Sequence, residues 1–188
     1  MTKPISITTP LKKLDILSLK AGDRVLLQGV LYTARDAAHR RLVELLRGGK
    51  DLPIDLNGQV IYYTGPAPAK PGEVIGAAGP TTAYRMDSFT VPLLESGLKG
   101  MIGKGDRGEL VVDGINKHGA VYFAATGGAA LLYSRAIIKA TVAAYPELGP
   151  EAILRLEVKD FPVIVAIDTY GTNLYREGIR KYMKVPKV

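Results

Sequence analysis

Apolar residues form short runs separated by stretches with helical spacing, a pattern that predicts strands and helices in alternation. The predicted strands cover residues 25–32, 59–64, 74–78, 99–102, 120–125, 153–158 and 163–168. The predicted helices run from the turn at 33–36 to the glycines at 48–49, up to 93–95, over 107–116, and from 126–128 to about 145. Strands that alternate with helices indicate a layered α/β fold. We expect one such domain over residues 1–188, with a short N-terminal tail and a basic C-terminal tail.

The turn before the first predicted helix has the form of a capping box. In it, the Thr33 hydroxyl is expected to bond the first free amides, and Asp36 to bond back. Arg35 lies in the first turn of this helix, where the macrodipole disfavours a cation. Two interpretations stay open for Arg35: it shares the helix N-terminus with a bound anion, or it is a surface residue paired with Asp36.

The amino-acid composition limits the possible functions mainly because cysteine is missing. The chain has 188 residues and no cysteine. This excludes disulfides, zinc–thiolate sites and a cysteine nucleophile, and it excludes an iron–sulfur cluster held by this chain alone. No apolar run reaches the length of about 18 residues that indicates a membrane span, and the first ten residues do not form a signal peptide. We therefore expect a soluble, cytoplasmic protein.

The net charge of +7, from 25 Lys and Arg against 18 Asp and Glu, suits an anionic substrate, an acidic partner or nucleic acid. The chain lacks the basic stripe with interleaved aromatic residues that binds single strands, so we do not expect nucleic-acid binding. Near the C-terminus we expect a solvated, frayed tail. Its charged residues are Arg176, Glu177, Arg180, Lys181, Lys184 and Lys187.

Residues 103–108 read GKGDRG, which fits the G-x-G-x-x-G pattern of dinucleotide-binding loops. The motif lies in the middle of the chain, and residues 115–146 contain no acidic residue that would hold a ribose. We favour an anion site instead, in which glycines expose backbone amides and Lys104 adds a positive charge. A tight turn with a solvated lysine is the alternative.

Three cations, Arg35, Arg85 and Lys104, each follow a separate predicted strand. Loops that follow the strands of an α/β sheet tend to gather at one end, so the three cations suit a small dicarboxylate or a phosphate. Arg85 has two threonines just upstream that can steady a bound carboxylate. We expect Asp36 and Asp87, each close in sequence to one of the arginines, to orient them.

The two histidines, His39 and His118, lie far apart and lack the spacing of metal ligands. We therefore predict no metal site on this chain. His39 follows Arg35 on the first predicted helix, so it either faces the site or makes a structural hydrogen bond.

Three segments together resemble the signature stretches of class I fumarases and of the β subunit of tartrate dehydratase. They are residues 32–39 (YTARDAAH), 79–87 (GPTTAYRMD) and 101–105 (MIGKG), and the resemblance extends from about residue 11 to 175. It implies a swivelling β/β/α domain within the α/β class. It also implies a partner α subunit whose three cysteines carry an oxygen-sensitive four-iron four-sulfur cluster, which acts as a Lewis acid on the departing hydroxyl.

The resemblance further implies that Arg35, Thr81, Arg85 and Lys104 contact the dicarboxylate, with Thr81 near the carbon that loses its proton. A threonine hydroxyl is a weak base, so Thr81 would need a neighbour to activate it. Tyr84 departs from the family pattern, in which a small residue is common here, and a bulky phenol alters the pocket.

The leading hypothesis is a β subunit in an α2β2 assembly that interconverts fumarate and (S)-malate. The close alternative is a dehydratase for L-tartrate or a mesaconate-type substrate. A non-catalytic anion-binding or mobile-domain module is the alternative from a different class.

Overall fold

A computed structural model describes residues 3–183 and confirms the α/β class. The strands are β1 (Ile5–Thr8), β2 (Arg24–Thr33), β3 (Val60–Tyr62), β4 (Gly100–Gly103), β5 (Val121–Ala124), β6 (Ile137–Ala144) and β7 (Ile153–Ile167). The α-helices are α1 (Lys13–Ser18), α2 (Asp36–Arg47), α3 (Asp87–Glu95), α4 (Glu109–His118), α5 (Ala130–Arg135) and α6 (Leu174–Tyr182). Two 3₁₀ segments cover Ala83–Met86 and Pro146–Glu151. No helix in this part of the chain is both long and apolar enough to cross a membrane.

The seven strands form one sheet in the order β1-β2-β3-β4-β5-β7-β6. Strands β1 to β5 pair in parallel, whereas β7 runs antiparallel to β2, β5 and β6. Because β7 pairs with both β5 and β2, the strands β2, β3, β4, β5 and β7 form a closed circuit. The carboxyl ends of β2, β3 and β4 therefore meet at one end of this circuit.

The core has two buried clusters, one on each face of the strands. Side chains from all five strands of the circuit, such as Tyr62, Ile102 and Phe123, pack together on the enclosed side. Their neighbours along the strands, such as Ile61 and Met101, pack on the other side with residues of α2, α3 and α4. Burial on both faces explains why the parallel strands are continuous apolar runs in the sequence.

The prediction of one long helix from 126–128 to about 145 is wrong. The structure has the short helix α5, followed by strand β6, which pairs with β7. The β6 segment is rich in β-branched residues (Ile137, Ile138, Thr141 and Val142), which favour a strand when a partner edge is present. An apolar run alone does not distinguish the two structures, and the partner strand decides between them.

Two strand predictions also change. The runs at 153–158 and 163–168 are parts of the single strand β7, which continues through Asp160 despite its positive φ of 53°. Residues 74–78 form a loop instead of a strand, held to the preceding loop by the hydrogen bond from the Ala67 amide to the Ala77 carbonyl. The prolines of that preceding loop cannot donate ladder hydrogen bonds, which explains why a strand pair does not form here.

The predicted capping box at Thr33 does not form. Thr33 is the last residue of β2, and Arg35 is the N-cap residue of α2 without a side-chain cap. The Thr33 hydroxyl donates to the Ala152 carbonyl (3.1 Å) and accepts from the Leu154 amide (2.9 Å), so it joins β2 to β7.

The basic C-terminal segment is not a frayed tail as far as Tyr182, because it forms the helix α6. Arg176 pairs with Glu109 and donates to the Arg107 carbonyl. Lys184 and Lys187 lie outside the described residues.

Candidate active site

The segment 79–83 lies between the residues that follow β3 and those that follow β4. The Thr81 amide donates to the Tyr63 carbonyl (2.6 Å), and the Lys104 amide donates to the Thr81 carbonyl (3.1 Å). The Ala83 amide completes the bridge by donating to the Lys104 carbonyl (2.9 Å). Thr81 and Lys104, which are far apart in sequence, are therefore direct neighbours at the carboxyl ends of the strands.

This close approach requires glycine at position 103. A Cβ at Gly103 would lie 2.9 Å from both the Ala83 Cβ and the Tyr63 Cδ2. Such distances are too short for real side chains, so any larger residue would push the 79–83 segment away from β4. Close packing therefore explains why the first residue of the G-K-G motif is glycine, and this explanation does not depend on a bound ligand.

Arg35 and Arg85 approach the same carboxylate, that of Asp36. Arg85 donates from Nε to Asp36 Oδ1 (3.0 Å) and from Nη2 to Oδ2 (2.8 Å), and Arg35 Nη2 lies 3.7 Å from Oδ2. Asp36 was expected to orient its neighbour Arg35, but its hydrogen bonds go to Arg85 and its contact with Arg35 is the longer one. The corresponding prediction for Asp87 and Arg85 is wrong, because Asp87 bonds Arg107 instead.

Arg35 is also held from the opposite side of the site. Its Nη2 lies 3.6 Å from Glu151 Oε1, while Glu151 Oε2 accepts a hydrogen bond from the Ala37 amide (2.9 Å) at the start of α2. Glu151 therefore supplies the anion that the α2 N-terminus attracts. Arg35 Nε is buried and has no hydrogen-bond acceptor within residues 3–183.

A glycine makes room for the Arg35 side chain. A Cβ at Gly65, in the loop after β3, would lie 2.9 Å from Arg35 Nη1 and 3.1 Å from the Pro150 carbonyl. The loops that follow β2 and β3 are therefore in contact through Arg35 and Gly65.

Thr81 and Lys104 have side-chain polar groups that the described part of the chain leaves unpaired. The Lys104 side chain is exposed and has no carboxylate within ion-pair distance there. The nearby backbone belongs to Gly127, after β5, where a Cβ would lie 3.9 Å from Lys104 Nζ. Thr81 is half-buried, and no hydrogen bond from its hydroxyl is made to residues 3–183. Both groups are available to a ligand.

The loop at 103–108 does not offer a row of free amides. The amides of Gly105, Arg107 and Gly108 donate to Tyr175 Oη (3.2 Å), Asp106 Oδ1 (2.7 Å) and Asp87 Oδ2 (2.7 Å), and that of Lys104 is used by Thr81. The prediction of an anion site built from these amides is wrong, because α3, α6, the loop's own Asp106 and the Thr81 carbonyl already occupy them. The Lys104 ammonium is the group of this loop that stays available.

Arg107 was missed by sequence reasoning, although it lies inside the glycine motif. Its side chain is buried between the rings of Tyr63 and Tyr122, with Cζ 5.5 and 5.1 Å from their centroids. Its Nε donates to Asp87 Oδ1 (2.6 Å) and its Nη2 to Thr90 Oγ1 (2.7 Å). Since Asp87 also binds the Gly108 amide, this buried pair fixes the loop that carries Lys104. No local spacing in the sequence indicates such a role.

His39 does not face the site. The ring is completely buried, with Nδ1 2.9 Å from the Arg35 carbonyl and an edge-on contact with the Tyr63 ring at 5.2 Å. Burial lowers the pKa of His39 from 6.5 to about 4, so the imidazole is neutral at pH 7. Of the two interpretations, the structural hydrogen bond is confirmed.

The four candidate residues differ in exposure. Arg85 and Lys104 are exposed, whereas Arg35 and Thr81 are half-buried. None of the four lines any of the best-formed cavities in the described part of the chain. The arrangement offers three positive charges and one hydroxyl to a small anion.

Residues 3–183 also contain no group of three histidine, aspartate or glutamate side chains close enough to hold a metal ion. With no cysteine in the whole chain, the residues present do not fit an iron–sulfur cluster.

Comparison with known proteins decides the family. The family model described as Fumarase C-terminus matches residues 1–178. The chain belongs to this family. It is 39% identical over 182 residues to the class I anaerobic fumarate hydratase of Escherichia coli K12, covering 94% of this chain and 33% of that enzyme. The fumarase C-terminal chain thus spans about a third of the length of the fumarate hydratases it matches.

Other relatives of this fumarase C-terminal chain have a similar length. It is 40% identical over 177 residues to the L(+)-tartrate dehydratase subunit beta of Escherichia coli K12, covering 92% of this chain and 87% of the relative. It is 38% identical to a putative subunit of the same name from Methanocaldococcus jannaschii, covering 91% of each. The resemblance noted from the three motifs is therefore confirmed over most of the chain.

Proposed function

We propose that this chain is the β-subunit part of an iron–sulfur-dependent hydro-lyase that interconverts fumarate and (S)-malate. One observation carries the proposal: four residues from separate segments, Arg35, Thr81, Arg85 and Lys104, lie at the carboxyl ends of neighbouring strands with unpaired or exchangeable polar groups. The relatives with hydro-lyase names support the same assignment.

In this proposal the three cations bind the two carboxylates of the substrate. The guanidinium of Arg85 already forms a two-pronged contact with a carboxylate, that of Asp36, and a substrate carboxylate would compete for the same fork. Arg35 adds a second guanidinium charge beside the Asp36 carboxylate, and Lys104 supplies a point charge from the next loop. These contacts would hold the substrate in a fixed orientation, which is a large part of what positioning contributes to a rate.

Thr81 is the proposed catalytic residue on this chain. Its backbone is fixed on both sides, by hydrogen bonds to Tyr63 and Lys104. In this proposal the Lys104 ammonium lowers the cost of forming an alkoxide-like oxygen, which is the kind of activation that a weakly basic hydroxyl requires. In this proposal Thr81 is the base that accepts the proton from the carbon next to the carboxylate.

We propose that a cysteine-containing α subunit, in an α2β2 assembly, holds a four-iron four-sulfur cluster against this surface. The cluster would supply a Lewis acid for the hydroxyl group, which no residue set of this chain provides. The exposure of Arg85 and Lys104 suits a site that a second polypeptide covers.

Dehydration of L-tartrate is the second candidate, because the relatives that match along most of their own length are named as subunits of that dehydratase. Tyr84 lies next to Arg85 with its side chain exposed, and in this proposal its ring bears on the choice among fumarate, L-tartrate and mesaconate-type diacids.

The deciding experiment is anaerobic co-expression with a cysteine-bearing α subunit, followed by assays on fumarate, mesaconate and L-tartrate. We expect activity from the complex, while the isolated chain is colourless and inactive because it has no cluster ligands. Iron–sulfur absorbance or fumarate hydration by the isolated chain contradicts the proposal. A complex that loads its cluster and turns over none of the three acids supports a non-catalytic anion-binding module instead.

A further inference from the structure

A cavity of about 630 Å³ lies at the opposite end of the sheet from the candidate active site. It is formed by α1 and by the residues that precede β3, β4 and β5, together with those that follow β7. These are the amino ends of the parallel strands, whereas the candidate active site lies at their carboxyl ends. The two sites are therefore separate, and the hydro-lyase proposal does not use this cavity.

The walls of the cavity carry an excess of positive charge. Lys13, Lys99 and Lys117 line it, and no aspartate or glutamate does. Within residues 3–183, none of the three lysines has a carboxylate within ion-pair distance. Lys99 Nζ donates to the His118 carbonyl at the end of α4, a contact that holds the ammonium in place without neutralising it.

One acidic group next to the cavity is already committed elsewhere. Asp168, just before the cavity residue Thr169, accepts hydrogen bonds from the amides of Ala21, Tyr170 and Thr172 (each 3.0 Å). Its two oxygens are used by the backbone, and Asp168 is buried. Three lysines from separate segments thus line a partly enclosed space that no aspartate or glutamate lines, an arrangement that favours an anionic ligand.

Two further features shape the cavity for an organic ligand. His118 Nε2 is buried and has no hydrogen-bond partner in the described part of the chain. Ile16 and the Tyr170 ring form an apolar wall, and the Tyr170 hydroxyl is fixed by donating to the Leu17 carbonyl (3.0 Å). The volume falls within the range of about 300 to 1,000 Å³ that small-molecule sites occupy.

We propose that this cavity binds a small phosphate-bearing molecule, with the phosphate between Lys13, Lys99 and Lys117 and the remainder against Ile16 and Tyr170. Lysine ammonium groups bind phosphate oxygens as point charges from several directions, which suits three separate segments better than a single guanidinium fork. The site is a second ligand site of the molecule, apart from its dicarboxylate chemistry.

Isothermal titration calorimetry of the whole chain at low salt tests the proposal, with pyrophosphate and ATP as probes. We expect both probes to bind, and the double variant Lys13→Gln/Lys117→Gln to weaken binding about tenfold or more. The matched control is Lys70→Gln/Lys181→Gln, which removes the same charge from exposed residues outside the cavity and should stay within about twofold of wild type. Amide NMR shifts should change at Gly58 and Gly119.

Three results overturn the proposal. The first is no binding of either probe at low salt. The second is equal weakening by the control variant, since the probes would then respond only to net charge. The third is a shift pattern confined to Gly105 and Gly127, with binding lost in Arg85→Lys, because the probes would then occupy the candidate active site. That third result leaves the hydro-lyase proposal intact, so the two proposals fail independently.

Discussion

Arg85 and Asp36 form a two-pronged ion pair across the candidate active site, with Arg85 Nε 3.0 Å from Oδ1 and Nη2 2.8 Å from Oδ2. The Arg85 side chain is about half exposed (49%), so this pair contributes little to stability. The pair matters for orientation instead. A guanidinium that already lies in the plane of one carboxylate is oriented to bind the carboxylate of a substrate.

Replacing Arg85 with lysine tests this geometry. Lysine keeps the charge and loses the planar fork, so we expect kcat/KM of the assembled enzyme to fall by about tenfold or more while the melting temperature stays unchanged. Steady-state kinetics on fumarate and thermal unfolding are the measurements. A variant within about twofold of wild type in kcat/KM removes Arg85 from the proposed substrate ligands, as expected of a surface pair worth about 0–1 kcal/mol.

Gly65→Ala tests whether Arg35 acts from its observed position. The added methyl group would lie 2.9 Å from Arg35 Nη1, so the guanidinium must move. We expect kcat/KM to fall by about tenfold or more, because small displacements of positioning groups are costly to the rate. Gly178→Ala is the matched control, since nothing lies within 4 Å of its Cβ, and its activity should equal that of wild type. Equal activity of both variants would show that the position of Arg35 is unimportant.

Arg107→Met tests the buried pair that fixes the Lys104 loop. Removing the guanidinium leaves the Asp87 carboxylate, only 16% exposed, without its partner, and we expect a loss of about 3–5 kcal/mol in the free energy of unfolding. Urea unfolding of the isolated chain is the measurement. The double variant Arg107→Met/Asp87→Asn should recover part of this loss, because the lone charge is then gone. No difference between the single and double variants would contradict the role given to the pair.

His39 predicts a specific dependence of stability on pH. Its pKa is about 4 in the folded chain and 6.5 when unfolded, so the unfolded state binds the extra proton between these values. The stabilisation is complete above pH 6.5 and is lost as the pH falls towards 4, with a slope of about 1.4 kcal/mol per pH unit from this residue. Comparing wild type with His39→Gln by urea unfolding at several pH values isolates the contribution. Parallel curves for the two proteins would contradict it.

The success of sequence reasoning depended on how far apart the interacting residues lie. The α/β class and the gathering of loops after strands follow from local patterns, and these placed Arg35, Arg85 and Lys104 on neighbouring loops. Thr33 bonds Ala152 and Leu154, and Ala37 bonds Glu151, more than a hundred positions away, so local capping rules chose the wrong partners. The buried role of Arg107 was missed because its partners, such as Asp87 and Tyr63, are also too distant in sequence for a local pattern to indicate them.

The β6 segment shows a second limit of prediction from local sequence patterns. Its apolar residues suit a helix and a strand equally in isolation, and the free edge of β7 selects the strand. Information about that edge is not contained in residues 137–144.

The pairing of β2 with β7 also governs the order of events during synthesis. Residues 24–32 must wait for residues 155–164 to leave the ribosome before the antiparallel edge of β2 is satisfied. Until then, Leu27 and Leu31, both completely buried in the finished fold, lack the wall that β7 provides. Contacts between such distant parts of a chain make folding slow. The nascent protein is therefore open to aggregation, or to capture by a chaperone, until its last strand emerges.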